Sequence, residues 1–175
     1  MALDLMALAI SNLANISERR ISALLDPSLN NGLPPFLVNR RSKPGLSSGF
    51  MAAQYTATSL VAENKILTHP ASSDSIPTSS NFEDFVSMGP GAAHKAKAIL
   101  ENSQYVIGIE LLLASQGVDL RGNKRLGKGT RKIYKSIRQN ISQLVEDRSP
   151  HEDIEKLREM VQSGEIARTV GQTAF

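Results

Sequence analysis

Two adjacent carboxylates, Glu83 and Asp84, sit between two aromatic residues, Phe82 and Phe85, in a stretch otherwise made of turn-formers and small polar residues. A carboxylate beside aromatic rings is partly desolvated, which fits it for proton transfer or for gripping a cationic substrate. The same pattern has a plainer reading, in which one of the two acids caps the helix that follows. The stretch runs from His69 to Pro90, and Pro70, Pro77, Asn81, Gly89 and Pro90 keep any long element from crossing it. Phe82, Phe85, Val86 and Met88 are the apolar side chains expected to anchor it. An irregular loop of this length between helices is more often functional or disordered than idle, and those apolar anchors argue against disorder.

Other chemistries are excluded or weakly supported. The chain has no cysteine, so disulfides, zinc-thiolate sites and a cysteine nucleophile are ruled out. His69, His94 and His151 lie far apart without i,i+4 pairing, which argues against a metal site. Residues Gly122 to Thr130 approach a phosphate-binding loop, but Gly129 stands where the Mg²⁺-binding hydroxyl belongs and no buried strand precedes them. Arg121, Lys124, Arg125, Lys128, Arg131, Lys132, Lys135 and Arg138 follow one another with no acid among them. Such a run serves either as a surface for phosphate or nucleic acid or as a solvated face. Tyr134 alone provides no stacking set, and a formal charge of +3 is mild for a nucleic-acid binder, so the solvated face is preferred.

The elements that must position the acidic loop read as helices. Hydrophobic residues make up 41% of the chain and aromatics 5%, with no Trp, a mix suited to packed helices built from Leu, Ile, Val, Ala and Met. The 175 residues suit one domain. Apolar positions recur at three- and four-residue steps from Ala2 to Leu25, and Asp4 is the sole charge before Glu18. A helix of that span is about 36 Å long, more than a small monomer covers, so it belongs in a bundle or an oligomer. Gly32 to Leu37 is expected to be extended, because residues before proline avoid the α region. A second helix, from Gly49 to Leu67, is rich in small residues that let backbones approach closely. A third runs from Pro90 to about Ser115 and is stopped by Gly117; Glu110 within it is expected to be a buried acid with a hydrogen-bonded partner. A fourth spans Thr130 to Val145, and Ser149-Pro150 opens a fifth, with Glu152 and Asp153 in its first turn and Ser163-Gly164 at its end. The expected fold is all-α. Residues 1–120 form long central-bundle helices carrying the loop 69–90, and residues 121–175 form a basic linker and C-terminal helices of the same structural unit. The apolar N-terminus lacks a basic leader and carries Asp4, and no run approaches a bilayer span, so the expected setting is the cytoplasm.

Several short blocks occur in a telling order: Ser17-Glu-Arg-Arg-Ile21, Gly32-Leu-Pro-Pro-Phe-Leu37, Ser48-Gly-Phe-Met51, Glu63-Asn-Lys65, His69-Pro-Ala-Ser72, Asp74-Ser75, Pro77-Thr-Ser79, Glu83-Asp84, Val86-Ser-Met88 and Gln116-Gly117. Together they resemble the aromatic amino acid ammonia-lyase family, and within it the C-terminal part of the histidine-specific members, over roughly Ala2 to Arg121. The resemblance implies long helices that associate four subunits and a non-oxidative elimination of ammonia, here from L-histidine to give urocanate. It also implies an electrophilic methylidene-imidazolone made from an internal Ala-Ser-Gly. No Ala-Ser-Gly is present in this chain; the nearest tripeptide, Ser47-Ser48-Gly49, belongs to a different block. The family's tyrosine base and the segments bearing its substrate-binding Asn, Gln and Arg are absent as well.

What the resemblance carries onto this chain is Glu83, matching the family glutamate that lies against the substrate, orients its amino group or imidazole and is able to assist proton transfer. Met51 matches a methionine lining the same pocket. Phe82 and Phe85 stand where histidine-specific members usually have Gln and His, and Ser47 replaces the usual Asn. Glu83 favours histidine over phenylalanine or tyrosine, whose lyases usually carry Gln at that place. The expectation is a chain that holds no cofactor or metal of its own, supplies the acidic wall of a small-molecule amino acid site and much of an oligomer core, and is inactive without an N-terminal ammonia-lyase portion. The alternative is a non-catalytic helical assembly or nucleic-acid-binding protein using the basic run 121–138.

Overall fold

A computed structural model describes residues 1–42, 45–122 and 126–171. In chain order the helices are α1 (Ala2–Leu25), α2 (Met51–Leu67), α3 (Gly89–Arg121), α4 (Lys128–Asn140), α5 (His151–Gln162) and α6 (Glu165–Thr169). Short 3-10 turns lie at Pro35–Leu37, Ala71–Ser73 and Ser79–Asn81. Among the described residues the β-type pairing is confined to a single bridge between Thr78 and Glu83.

The 33-residue α3 is the axis, and α1, α2 and α5 all pack on it. Ile21, Leu25, Ala53, Ala57, Val106, Ile109, Leu112, Leu113, Ile137 and Leu157 form the main core. The small residues of α2 act as expected, with Ala53 and Ala57 wholly buried. At Gly108 a Cβ would lie 3.2 Å from the Arg158 nitrogen and 3.4 Å from Leu157 Cβ, so α5 approaches α3 as closely as a missing side chain permits. Glu110 has its expected partners on α1: it accepts a 2.5 Å hydrogen bond from the Ser17 hydroxyl and bonds of 2.5 and 2.7 Å from the Arg20 guanidinium.

α1 has the expected limits. Asp26 follows it in an extended conformation, and its carboxylate accepts the N–H and hydroxyl of Ser28 at 2.8 and 2.7 Å. One face of α1, with Ala7, Ala14, Ile21 and Leu25, is buried within the chain. The opposite face presents Leu5, Leu13 and Ile16, which are 66%, 63% and 52% exposed. α5 begins after Ser149-Pro150 as expected, with Glu152 and Asp153 in its first turn.

Three boundaries differ from the sequence expectation, each because a tertiary contact outweighs local pattern. Pro34 is extended, but Pro35–Leu37 is a 3-10 turn with Phe36 and Leu37 in the left-handed region (φ +51° and +56°). Leu37 is fully buried there, and the Phe36 carbonyl accepts the Phe50 N–H at 3.0 Å. α3 does not stop at Gly117; it continues to Arg121 and stops at Gly122, φ +92°. Gly117 instead lies buried within α3, where a Cβ would meet Leu33 Cδ1 at 3.5 Å, an ordinary contact. α4 ends at Asn140, five residues short of Val145. The chain is drawn off by the buried Gln116, whose amide donates to the Leu144 and Leu37 carbonyls at 2.8 and 3.3 Å and whose oxygen accepts the Leu144 N–H at 3.1 Å.

Candidate functional site

The acidic loop is held by nested clamps. The outermost is Asp4 on α1, whose carboxylate accepts the N–H groups of Ala71 and Ser72 at 3.1 and 3.2 Å. Hydrogen bonding from the Ser72 side chain, and then from the Ala71 N–H, holds the Asp4 carboxyl down at about 2. Lys95 on α3 donates to the His69 carbonyl and lies 3.9 Å from the Asp4 carboxylate. The next clamp is Ser75, whose hydroxyl oxygen accepts the Val86 N–H at 2.8 Å and whose O–H donates to the Val86 carbonyl at 3.1 Å.

The innermost clamp joins Thr78 to Glu83. The Thr78 N–H donates to the Glu83 carbonyl at 3.0 Å, and the Glu83 N–H returns to the Thr78 carbonyl at 3.3 Å. The Thr78 hydroxyl then donates to Glu83 Oε2 at 3.0 Å. Between the two residues Ser79, Ser80 and Asn81 are all left-handed, with φ of +54°, +55° and +68°. Such backbone costs on the order of 1 kcal/mol or more per residue and persists only where its surroundings impose it. The result is a tight turn that carries Glu83 outward in a defined orientation.

Two expectations about this loop are corrected. Phe82 and Phe85 are not anchors: they are 91% and 83% exposed, so within this chain the rings do not cover the carboxylates, and Glu83 and Asp84 are themselves exposed. Val86 and Met88 are half-buried, and the loop's attachment is otherwise polar. Nor does either acid cap α3, which begins at Gly89 with Met88 at its N-cap and no side-chain cap. Met51 stands on a different element, as the first residue of α2, half-buried and next to the core residue Phe50. Ser48 and Gly49, of the nearest approach to Ala-Ser-Gly, donate their N–H groups to the Asp147 carboxylate at 2.5 and 3.1 Å, in an ordinary structural turn.

The basic run is divided. The Arg121 guanidinium donates to the Asn30 and Asn31 carbonyls at 2.9 Å each, and Arg138 pairs with Asp119 at 2.6 Å. Lys124 and Arg125 lie outside the described residues. Lys128, Arg131, Lys132 and Lys135 line an open groove on α4 of about 480 Å³. Among the described residues no group of three or more His, Cys, Asp and Glu converges as a metal site, and no helix is long and apolar enough to cross a membrane.

An all-helical chain with this loop is matched over residues 1–139 by the family model for aromatic amino acid lyases. The chain belongs to the aromatic amino acid lyase family. Histidine ammonia-lyase of Natranaerobius thermophilus is 52% identical over 174 residues, 97% of this chain and 34% of that protein. That of Treponema denticola is 52% identical over 163 residues, 93% of this chain and 32% of that protein. The crystal structure of histidine ammonia-lyase from Trypanosoma cruzi superposes with a TM-score of 0.90 at 45% identity, covering 97% of this chain and 32% of that one. Tyrosine aminomutase from Streptomyces globisporus superposes with a TM-score of 0.92 at 38% identity, with the same coverage. The chain thus spans about a third of the length of the curated lyases it matches. The lyase family, more than the nucleic-acid alternative, accounts for this chain, and the basic run is read as mostly solvated and structural.

Asp4, Ser75, Thr78 and Lys95 were not identified as parts of the site by sequence reasoning. Asp4 did carry a signal, as a lone charge in an apolar helix, because a carboxylate there needs a partner.

Proposed function

We propose that this chain is the C-terminal portion of a histidine ammonia-lyase-like enzyme, supplying the acidic wall of its active site and part of its oligomer core. The observation that carries the reading is the clamped hairpin, which presents Glu83 outward beside two uncovered rings, as a wall awaiting the rest of a pocket. In this reading Glu83 binds the ammonium or imidazole of histidine by charge and hydrogen bonding, and Met51 lines the pocket from the start of α2. Glu83 favours histidine because a carboxylate accepts from a cationic or N–H-bearing group, which the rings of phenylalanine and tyrosine lack.

The elimination needs an electron sink, because the β-proton is weakly acidic and the amine a poor leaving group; methylidene-imidazolone supplies that sink in the family. This chain does not fit as its source: it contains no Ala-Ser-Gly, and Ser48-Gly49 is committed to Asp147. The electrophile and the base therefore come from another stretch of polypeptide.

Two incubations with histidine, followed by urocanate absorbance, test this. The purified chain alone is expected to give no turnover, and its mixture with an N-terminal portion carrying Ala-Ser-Gly is expected to be active. Turnover by the chain alone, or an inactive but well-formed complex, overturns the proposal.

A further inference from the structure

We infer that Thr78 is the positioning residue of Glu83: its hydroxyl occupies one carboxylate oxygen so that the other is presented to the ligand. The inference rests on the proposed role of Glu83 and adds the group that makes that role possible. Glu83 is exposed, and a free glutamate there samples many rotamers, most aimed away from any one ligand. In an antiparallel pair, residues directly opposite each other place their side chains on the same face. The Thr78–Glu83 bridge is such a pair, so backbone pairing delivers the hydroxyl to the carboxylate.

The bond falls on Oε2 at 3.0 Å, and among the described residues no other side chain bonds the Glu83 carboxylate. Oε1 is thereby left with both lone pairs for an N–H of a cationic ligand. Threonine suits the task better than serine in one respect, since its β-branch limits χ1 and its backbone is extended here, φ −129°, ψ 177°. The left-handed Ser79-Ser80-Asn81 turn is what brings residues five apart into register.

The test uses the active assembly of this chain with its N-terminal portion. Thr78→Val keeps the shape and the extended backbone but removes the donor; Thr78→Ser keeps the donor. Thr78→Val is expected to raise KM for histidine about tenfold with kcat within about twofold, the size of losing one hydrogen bond to a charged group, and Thr78→Ser to stay within about twofold of wild type in both. In a Glu83→Gln background Thr78→Val is expected to add little, because the partner it serves has gone. That cycle holds even if Thr78→Val lowers the melting midpoint, since a loss through folding adds to that of Glu83→Gln. Wild-type kinetics for Thr78→Val, equal damage from Val and Ser, or additive losses in the cycle overturn the role of Thr78 while leaving that of Glu83 intact. Wild-type kinetics for Glu83→Ala overturn the role of Glu83, and the role of Thr78 with it.

Discussion

At the scale of single residues, the chemistry proposed for this chain is concentrated in one carboxylate and the few groups that aim it. Glu83→Ala in the reconstituted enzyme is expected to lower kcat/KM for histidine by about a hundredfold or more, as for a charged group touching substrate. Asp84→Ala is expected to stay within a few-fold, because Asp84 neither caps α3 nor takes part in the Thr78 clamp. Urocanate formation by the two variants, measured side by side, decides this, and small equal effects would count against the assignment. Asp4 supports the same loop from below. Its folded carboxyl titrates at about 2, below the ordinary value of 3.8, so the stability it confers is fully present above about pH 4 and is lost as pH falls toward 2. Asp4→Asn is expected to flatten the dependence of the melting midpoint on pH across that window and to leave a lower midpoint at neutral pH. An unchanged acid dependence would show that the anchor contributes nothing. Local pattern marks Glu83 and Asp84 but favours a helix cap over a site; the resemblance reverses that preference for Glu83. The groups that hold Glu83 were not legible, because Asp4 is 67 positions from Ala71 and Ser75 is 11 from Val86.

The elements show the same division between what periodicity discloses and what only packing decides. α1 was legible from end to end because its apolar spacing is continuous and Asp26-Pro27 stops it. The Gly32–Leu37 segment was not, because its left-handed turn is dictated by a contact with residues beyond position 48. Gly49 is the residue that permits that contact: its φ is +54°, and a Cβ there would lie 2.4 Å from the Phe36 carbonyl oxygen. Gly49→Ala is therefore expected to destabilise the chain by about 2 kcal/mol or more, with strain and overlap adding, as read from urea unfolding. Gly45 also has positive φ (+78°) but open space where a Cβ would stand, so Gly45→Ala is expected to cost only about 1 kcal/mol. Equal costs at the two sites would mean that the close approach to Phe36 carries no weight. Gly117 makes the converse point: a glycine that reads as a helix stop lies buried inside α3, held there because its neighbour Gln116 has its hydrogen bonds deep in the fold.

For the molecule as a whole, the surface it exposes is the decisive quantity. Its accessible area is 10947 Å². A compact monomer of this mass exposes about 8,400 Å². The excess, on the order of 2,500 Å², marks a chain less compact than an ordinary monomer of its mass. Exposed apolar side chains are regularly placed: Leu5, Ala9, Leu13 and Ile16 recur along one face of α1 at steps of four, four and three, with Tyr55 and Ile66 uncovered on α2. Burying one Leu or Ile side chain gains about 1.5–3 kcal/mol, whereas burying an unpaired carboxylate in its place costs several. Replacing Leu13 and Ile16 together by Glu is therefore expected to shift the protein from oligomer toward monomer in sedimentation. Its helical circular dichroism is expected to persist, because neither residue belongs to the chain's own core. Loss of helix together with mass would show that the face packs inward in solution. An unchanged mass would show that this face does not join copies of this chain.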